Sequence, residues 1–423
     1  MVSHLGGLGW SQLLLPLAAL SVCILPLGAY MAKVYRNQTT ALTQCLGWAE
    51  TLIYKVAGID SSQEMDWRTY ALATLTLSSL GFVALYVLLV AQAVLPGNPA
   101  HLPGLAPDKA FIVAVSYVTG TSLVPPAFVG ALSPLTRTAG LTAQTFISAA
   151  VGMSVFMAIS RGLSGRHHGR VGNFWVDVVR TIIYVLVPMS FLLVSLVATS
   201  GVGEAIDVFA RTHLAAAPGA MPDTAEETLR LITTRGGNLI NAVSTQTAAT
   251  TPTAGLVNFL SALLIPCALC YTFGIIVDDR RQAIVALAAA AFGTVVWFGH
   301  PTGSQTATAV LSGNTGLLFV LIAGLILTTA GLSWLRGRKA RYLGRQLSPF
   351  EILMAATACL VPCTLVLLSD ALHHGEQVAE SLTPPAIYAL LSLAVLCGRF
   401  WVMIPALAMA GSLSGKPPSE AEA

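Results

Sequence analysis

Charge is scarce in this chain. Only 10% of its 423 residues are Asp, Glu, Lys or Arg, against about a quarter in ordinary soluble domains. Without that polar surface the chain does not fold as two or three water-soluble domains, although its length alone would allow it. A GxxxxGK[ST] phosphate loop is missing as well, and no polar stretch is long enough to build a nucleotide-binding domain. If the protein works with ATP, another chain hydrolyses it. Cysteines number seven, at 23, 45, 267, 270, 359, 363 and 397, and six lie in or at the edge of apolar runs. They form no disulfide framework. The Cys267–Cys270 CxxC sits inside LLIPCALCYTF and reads as two buried small hydrophobes.

What is abundant is apolar sequence: 55% of residues are hydrophobic and the mean hydropathy is +0.74. Nine runs approach or exceed the roughly 20 residues needed to cross a bilayer core, at about 10–31, 70–95, 141–161, 174–199, 256–277, 282–298, 316–335, 350–369 and 384–412. Lipid offers backbone groups no partner, so these runs read as helices. The first is long, lacks a small-x-small cleavage site and is followed by Lys33 and Arg36, so it reads as a retained helix and not a signal peptide. The resulting expectation is an all-α polytopic membrane protein, one transmembrane domain over 1–423.

Positive charge alternates along the connections. Those at 32–69, 162–173, 278–281, 336–349 and beyond 412, counting Arg161 at a helix edge, hold 15 Lys and Arg, whereas the alternate connections hold five. The positive-inside rule then places the N-terminus outside and the C-terminus in the cytoplasm. The histidine pairs 167–168 and 373–374 fall on opposite sides and do not make one metal site. The outer connections after the second and fourth runs each carry a short apolar piece, AFIVAVSYV (110–118) and EETLRLITT (226–234). Each is followed by a polar segment, TGTSLVPP (119–126) and RGGNLINAVST (235–245). The pattern of span, short helix, carbonyl-rich loop and span thus occurs twice. Non-helical backbone survives at membrane depth only when buried in protein or lining a watery cavity. Carbonyl rings of this kind replace the hydration shell of a potassium ion, and the competing reading is an ordinary polar external loop.

Several segments carry a family resemblance: LPGNPAHLPGL (95–105), VSYVTGTS (115–122), AGLTAQTFISAAVGMSV (139–155), GNFWVDVVRTIIYVLVP (172–188), GGNLINAVS (236–244), LLIPCALCYTFGIIVDDRRQ (263–282), RYLGRQ (341–346) and CGRFWVMIPALAMAGSL (397–413). Together they resemble the potassium-binding A subunit of the Kdp-type potassium-transporting P-type ATPase, in the superfamily of potassium transporters built from four span–pore-loop–span repeats. The resemblance implies an extra N-terminal helix at 10–31 and repeats at 70–161 and 174–277, with shortened repeats at 282–335 and 350–412. It implies that backbone carbonyls of Thr119, Gly120, Thr121 and Ser122, and of Thr234, Arg235, Gly236, Gly237 and Asn238, face the ion. No organic cofactor is implied. ATP would be bound by a P-type catalytic subunit, with small accessory membrane subunits and lipid as further partners and no nucleic acid. The location implied is the bacterial cytoplasmic (inner) membrane.

The chain departs from the family pattern. Gly120 and Ser122 stand where it has asparagines, Arg235 replaces an asparagine and Asn238 a glycine. GHPTGSQTATAVLSGNTG (299–316) and ALHHGEQVAESLTPP (371–385) stand where the third and fourth filter loops belong. Two of four pore loops are recognisable, which leaves half a carbonyl ring open. The alternatives to a potassium-translocating subunit are therefore a non-conducting relative acting as scaffold or regulatory subunit, or an ATP-independent potassium channel or transporter. Arg399, near the middle of the last run, is expected to turn to the bundle interior, and the resemblance of its Gly398-Arg399-Phe400 stretch to the family implies a pore-proximal charge. Asp177 and Arg180, at i and i+3 on one helix face, are expected to pair with each other. Asp278, Asp279, Arg280 and Arg281 read as a solvated turn, and RGRKARYLGR (336–345) as a topological anchor.

Overall fold

The computed structural model describes residues 10–120, 131–165, 169–192, 252–279, 281, 284–285, 314–336, 339–343, 345–359 and 384–416. Thr121, Ser122, the segment 226–245 and most of 282–298 lie outside the described residues.

Eight of the nine apolar runs contain helices among the described residues. They are α1 (Trp10–Tyr35), α3 (Trp67–Val90), α5 (Ala143–Ser164), α6 (Phe174–Arg180), α7 (Pro252–Val277), α8 (Asn314–Leu335), α9 (Pro349–Cys359) and α10 (Pro384–Ser414). A π-helical turn, Thr136–Thr142, leads into α5, and another, Thr181–Leu186, extends α6. Among the described residues, four stretches are long and apolar enough to cross a membrane: Trp67–Val90, Thr136–Ser164, Phe174–Leu192 and Ser392–Ser414. Two further helices lie in the connections between these apolar runs. The 32–69 connection contains α2 (Ala41–Ala57), begun by a Thr40–Thr43 capping box and ended by Gly58 in the left-handed conformation. The connection between α3 and α5 contains α4 (Pro107–Thr119). The described residues also include a 3-10 turn, Gln92–Val94, and two short antiparallel pairings, β1 (Met65–Asp66) with β2 (Arg170–Gly172), and β3 (Arg341–Tyr342) with β4 (Arg345–Gln346).

Helix α5 is the central post. In its span 83% of the apolar window is buried, against 28% for α3 at the periphery. One apolar cluster joins α5 to α1, α3, α6, α7, α8, α9 and α10 through Met31, Tyr70, Phe156, Phe174, Phe273, Ile326, Ala355 and Leu407. Cys270 packs inside this cluster and Cys267 against a smaller one around Leu20 and Ile24. With no water to exclude in a bilayer, helices associate through close packing, and small residues let backbones approach. Gly162 shows this on α5: a Cβ there would lie 2.6 Å from the Ala410 carbonyl oxygen of α10.

Polar contacts pin the cytoplasmic ends expected from charge alternation. Arg345 donates to the carbonyls of Leu163 and Ser164 at the end of α5 and of Leu413 at the end of α10. Glu351 is fully buried. It accepts from the Ser348 backbone N–H at 2.5 Å, from Ser412 Oγ at 2.6 Å and from Lys416 Nζ at 2.6 Å, tying α9 to the end of α10.

The expected Asp177–Arg180 pair does not form. Asp177 faces the bundle and takes a bidentate guanidinium from Arg161 of α5, with contacts of 2.6 and 2.8 Å. The Tyr70 hydroxyl lies 3.0 Å from the same carboxylate. Arg180 turns outward to α2, where its Nε meets Glu50 at 2.8 Å. The physical reason is geometric. A fork-on-carboxylate pair from a neighbouring helix gives two parallel charge-assisted bonds, which one turn of the same helix does not offer a short aspartate.

Glu50 also accepts from the hydroxyls of Tyr184 at 2.5 Å and Tyr54 at 2.7 Å. Burial pushes its carboxyl up, but those two hydrogen bonds and the Arg180 contact more than offset it, leaving the pKa below the ordinary value of 4.5. A carboxylate lowered in the folded state contributes stability that is complete above its unfolded pKa and is lost as pH falls through the folded one. Hydrogen exchange in α2 should therefore be independent of pH-driven opening in neutral solution, and protection should drop below pH 4.5; in Glu50→Gln that acid limb should vanish.

Arg161→Met leaves Asp177 buried without its cation and should cost about 3–5 kcal/mol, most of which Arg161→Met with Asp177→Leu should recover. Thermal unfolding of the detergent-solubilised protein reads both. Equal losses in the single and double variants would mean that the pair does not hold the bundle.

Candidate functional site at the end of the short helix

Helix α4 enters the bundle and stops. Pro107 at its first position fits where an N–H has no partner anyway, and Asp108 complements the positive end of the helix dipole. Beyond the first turn nearly every residue is buried: Ala110, Ile112 to Ala114, Val115, Ser116, Tyr117, Val118 and Thr119. The sequence reading of 110–118 as a helix too short to span is thus matched by a helix of 13 residues.

Its carbonyl end is the site. Gly120 closes α4 in the left-handed conformation, φ 69° and ψ 28°, and its N–H bonds the Ser116 carbonyl. A Cβ on Gly120 would meet Arg399 Nη1 and Ser148 Oγ, each at 3.1 Å, so both the torsion and the space select glycine. Thr119 Oγ1 returns to the Val115 carbonyl at 2.7 Å. Ser148 Oγ, from the middle of α5, donates to the Val118 carbonyl at 2.8 Å. Arg399, from the middle of α10, donates through Nη1 to the Thr119 carbonyl and through Nη2 to the Ser148 carbonyl, the latter at 2.6 Å. Its Nε has no hydrogen-bond partner among the described residues.

Two elements, α5 and α10, therefore converge on the last two carbonyls of α4. The arginine lies against the negative end of that helix, where a cation is favoured. Of the residues expected to face an ion, Thr119 and Gly120 are brought together with Arg399. Thr121, Ser122, Thr234, Arg235, Gly236, Gly237 and Asn238 lie outside the described residues. Ser148 was not singled out from sequence. Its signal is present in hindsight: Gln144, Thr145 and Ser148 form a polar strip in an otherwise apolar run, and all three are buried.

A second polar arrangement lies before α4. Gln92 donates to the Pro103 and Ala131 carbonyls at 2.5 and 3.1 Å, accepts from the Ser133 N–H at 3.1 Å, and is fully buried. Asn98 closes the loop on Leu102 with two bonds of 2.8 and 2.9 Å. This explains why LPGNPAHLPGL is rich in turn formers: it folds back on itself and delivers Pro107 to the start of α4.

The fold and this site define a multi-pass helical membrane protein with a broken, inward-ending helix. The comparisons with known proteins sharpen that class. A family model described as "Potassium-transporting ATPase A subunit" matches residues 14–315, and the chain belongs to that family. Among its relatives, the "Potassium-transporting ATPase potassium-binding subunit" of Solidesulfovibrio magneticus is 31% identical, covering 96% of this chain and 90% of its own length. The subunits of the same description from Herpetosiphon aurantiacus and Anaeromyxobacter dehalogenans are each 30% identical, covering 95% and 94% of this chain and 89% of their own lengths. The first alignment runs over 527 positions, more than the 423 residues here, so segments of that relative have no counterpart in this chain.

Replacing Gly120 with Ala should destabilise the protein by about 1–2 kcal/mol from the left-handed torsion alone. Arg399→Lys, which cannot fork between two carbonyls, should lose about 1.5–3 kcal/mol, the value of a hydrogen bond to a charged group. Thermal melts of purified protein check both, and a neutral Arg399→Lys would show that the fork is not structural.

Proposed function

We propose that this chain is the potassium-binding, translocating membrane subunit of an ATP-driven potassium uptake complex. Its place in the family carries the proposal, supported by the site at the end of α4. In this reading the Thr119 and Gly120 carbonyls, continued by Thr121 and Ser122, form one wall of the ion path. Thr234, Arg235, Gly236, Gly237 and Asn238 form a second wall. Glycine and threonine backbone in such a wall supplies carbonyl oxygens in place of ion hydration. Arg399 sets the path's inner limit: a unit positive charge about 4 Å away opposes a cation by roughly 4 kcal/mol at an effective dielectric near 20. A P-type catalytic subunit binds and hydrolyses ATP, and small accessory membrane subunits complete the complex. The chain crosses the bacterial inner membrane nine times, N-terminus outside and C-terminus in the cytoplasm.

Two observations favour a second reading, a relative that no longer conducts and serves as a scaffold or regulatory subunit. The alignment to the Solidesulfovibrio magneticus relative leaves segments of that protein without counterpart here. Arg399 also already occupies the Thr119 carbonyl. Rubidium uptake by vesicles carrying the chain with and without the ATPase subunits decides between them. Uptake that requires ATP and the partners, and that falls when Gly236 is replaced by Leu, supports translocation. No uptake with correctly inserted protein and active partners supports the scaffold.

A further inference from the structure

Helix α2 has a face that the chain leaves uncovered. Cys45, Trp48, Leu52 and Val56 are spaced 3, 4 and 4 residues apart, which places them on one stripe of a 3.6-residue helix. All four are exposed: Trp48 by 68%, Leu52 by 53% and Val56 by 80%, with Ile53 beside them. The stripe cannot roll inward, because the opposite face is tied down. Glu50 holds Arg180 and Tyr184, and Tyr54 donates to Glu50. The helix is also well terminated, with hydrogen-bonded caps at both ends, so the stripe is displayed on a formed helix.

Its position fixes what covers it. Only five residues separate Tyr35, the end of α1, from the start of helix α2. Arg36, in that short connection, donates to the Ile275 carbonyl at the end of α7 at 2.5 Å. After α2, the backbone carbonyls of Asp60 and Gln63 accept from Asn173, the residue that caps the start of α6, and the β1–β2 pairing brings the chain to Trp67 at the start of α3. Helix α2 therefore lies level with four helix ends, at the edge of the apolar bundle. Apolar side chains are exposed close to that level too: Leu72, five residues into α3, and Val187, three residues beyond the Tyr184 that Glu50 holds. The stripe is thus displayed at the level where the apolar bundle ends.

We infer that α2 lies in the plane of the bilayer with Trp48, Leu52 and Val56 in the phospholipid interface. Tryptophan is at home at that depth, and Lys55, exposed on the same helix, reaches the headgroups along its apolar stem. Across 32–69 the charges balance: Lys33, Arg36, Lys55 and Arg68 stand against Glu50, Asp60, Glu64 and Asp66. The attachment therefore rests on apolar area and not on anionic lipid, the other source of interfacial binding.

The test uses the full chain in phosphatidylcholine vesicles containing acyl-brominated phosphatidylcholine, with the emission of Trp48→Phe subtracted from that of the unaltered protein. The expected result is that the Trp48 component loses most of its emission to brominated lipid and little to aqueous iodide. The loss should be the same when phosphatidylglycerol replaces part of the vesicle lipid. Quenching by iodide instead would place the stripe in water and overturn the inference. Quenching by neither would place it against protein, and so would loss of lipid quenching on assembly with the ATPase subunits. A nitroxide on Cys45, the exposed cysteine among the described residues, gives an independent reading without touching Trp48. It should relax with lipid-soluble oxygen more than with a water-soluble nickel chelate, and the reverse order would overturn the inference.

Discussion

A helix that ends within or at the edge of a bilayer leaves its last carbonyls without partners, and lipid supplies none. In this protein arginines supply them. Arg36 reaches the end of α7, Arg161 the Tyr35 carbonyl at the end of α1, and Arg345 the ends of both α5 and α10. Arg399 reaches the end of α4. Each guanidinium sits where the helix dipole is negative. Each also comes from a different element than the one it caps, so end-capping doubles as the tertiary pin. The planar fork is what makes this possible: one side chain can donate in two directions, which a lysine ammonium on its flexible stem does less well.

The same interaction shapes the site. Helix α4 would otherwise stop with bare carbonyls in the interior of the bundle. Ser148 and Arg399 take two of them, and Gly120 lets the chain leave in a left-handed turn with the guanidinium directly above it. A carbonyl has two lone pairs, so the Thr119 oxygen can accept from Arg399 and still present its other side. The identity of the family and the geometry of the site therefore pull in different directions: the family implies an ion path, while the side-chain charge at the end of α4 is positive.

Much of the fold was legible in the sequence because it depends on local quantities. Apolar length marks helices, so α1, α3, α5, α7, α8 and α10 fall close to where the runs lie. The nine residues of AFIVAVSYV are too few to span and are followed by Gly120, so α4 was readable as a short helix that stops. Arg399 was readable as inward-facing because a mid-run arginine has nowhere else to go. What was not legible involves choices among partners. Asp177 and Arg180 are close in sequence, yet each pairs across the bundle, with Arg161 and Glu50. Helix α2 was hidden inside a connection because its stripe of Cys45, Trp48, Leu52 and Val56 is too short and too interrupted by polar residues to register as an apolar run.

By itself the sequence determined that this is a polytopic helical membrane protein, which end of each helix carries positive charge, and which family it belongs to. Those properties follow from composition and order along one chain, where hydropathy and charge act residue by residue. Only the tertiary structure decided which carbonyl each arginine satisfies, that Ser148 shares the end of α4 with Arg399, and that α2 turns its apolar stripe outward. Those outcomes depend on distances between segments 30 to 280 residues apart in sequence, and in a medium without water the contact actually made decides whether a buried polar group is stable.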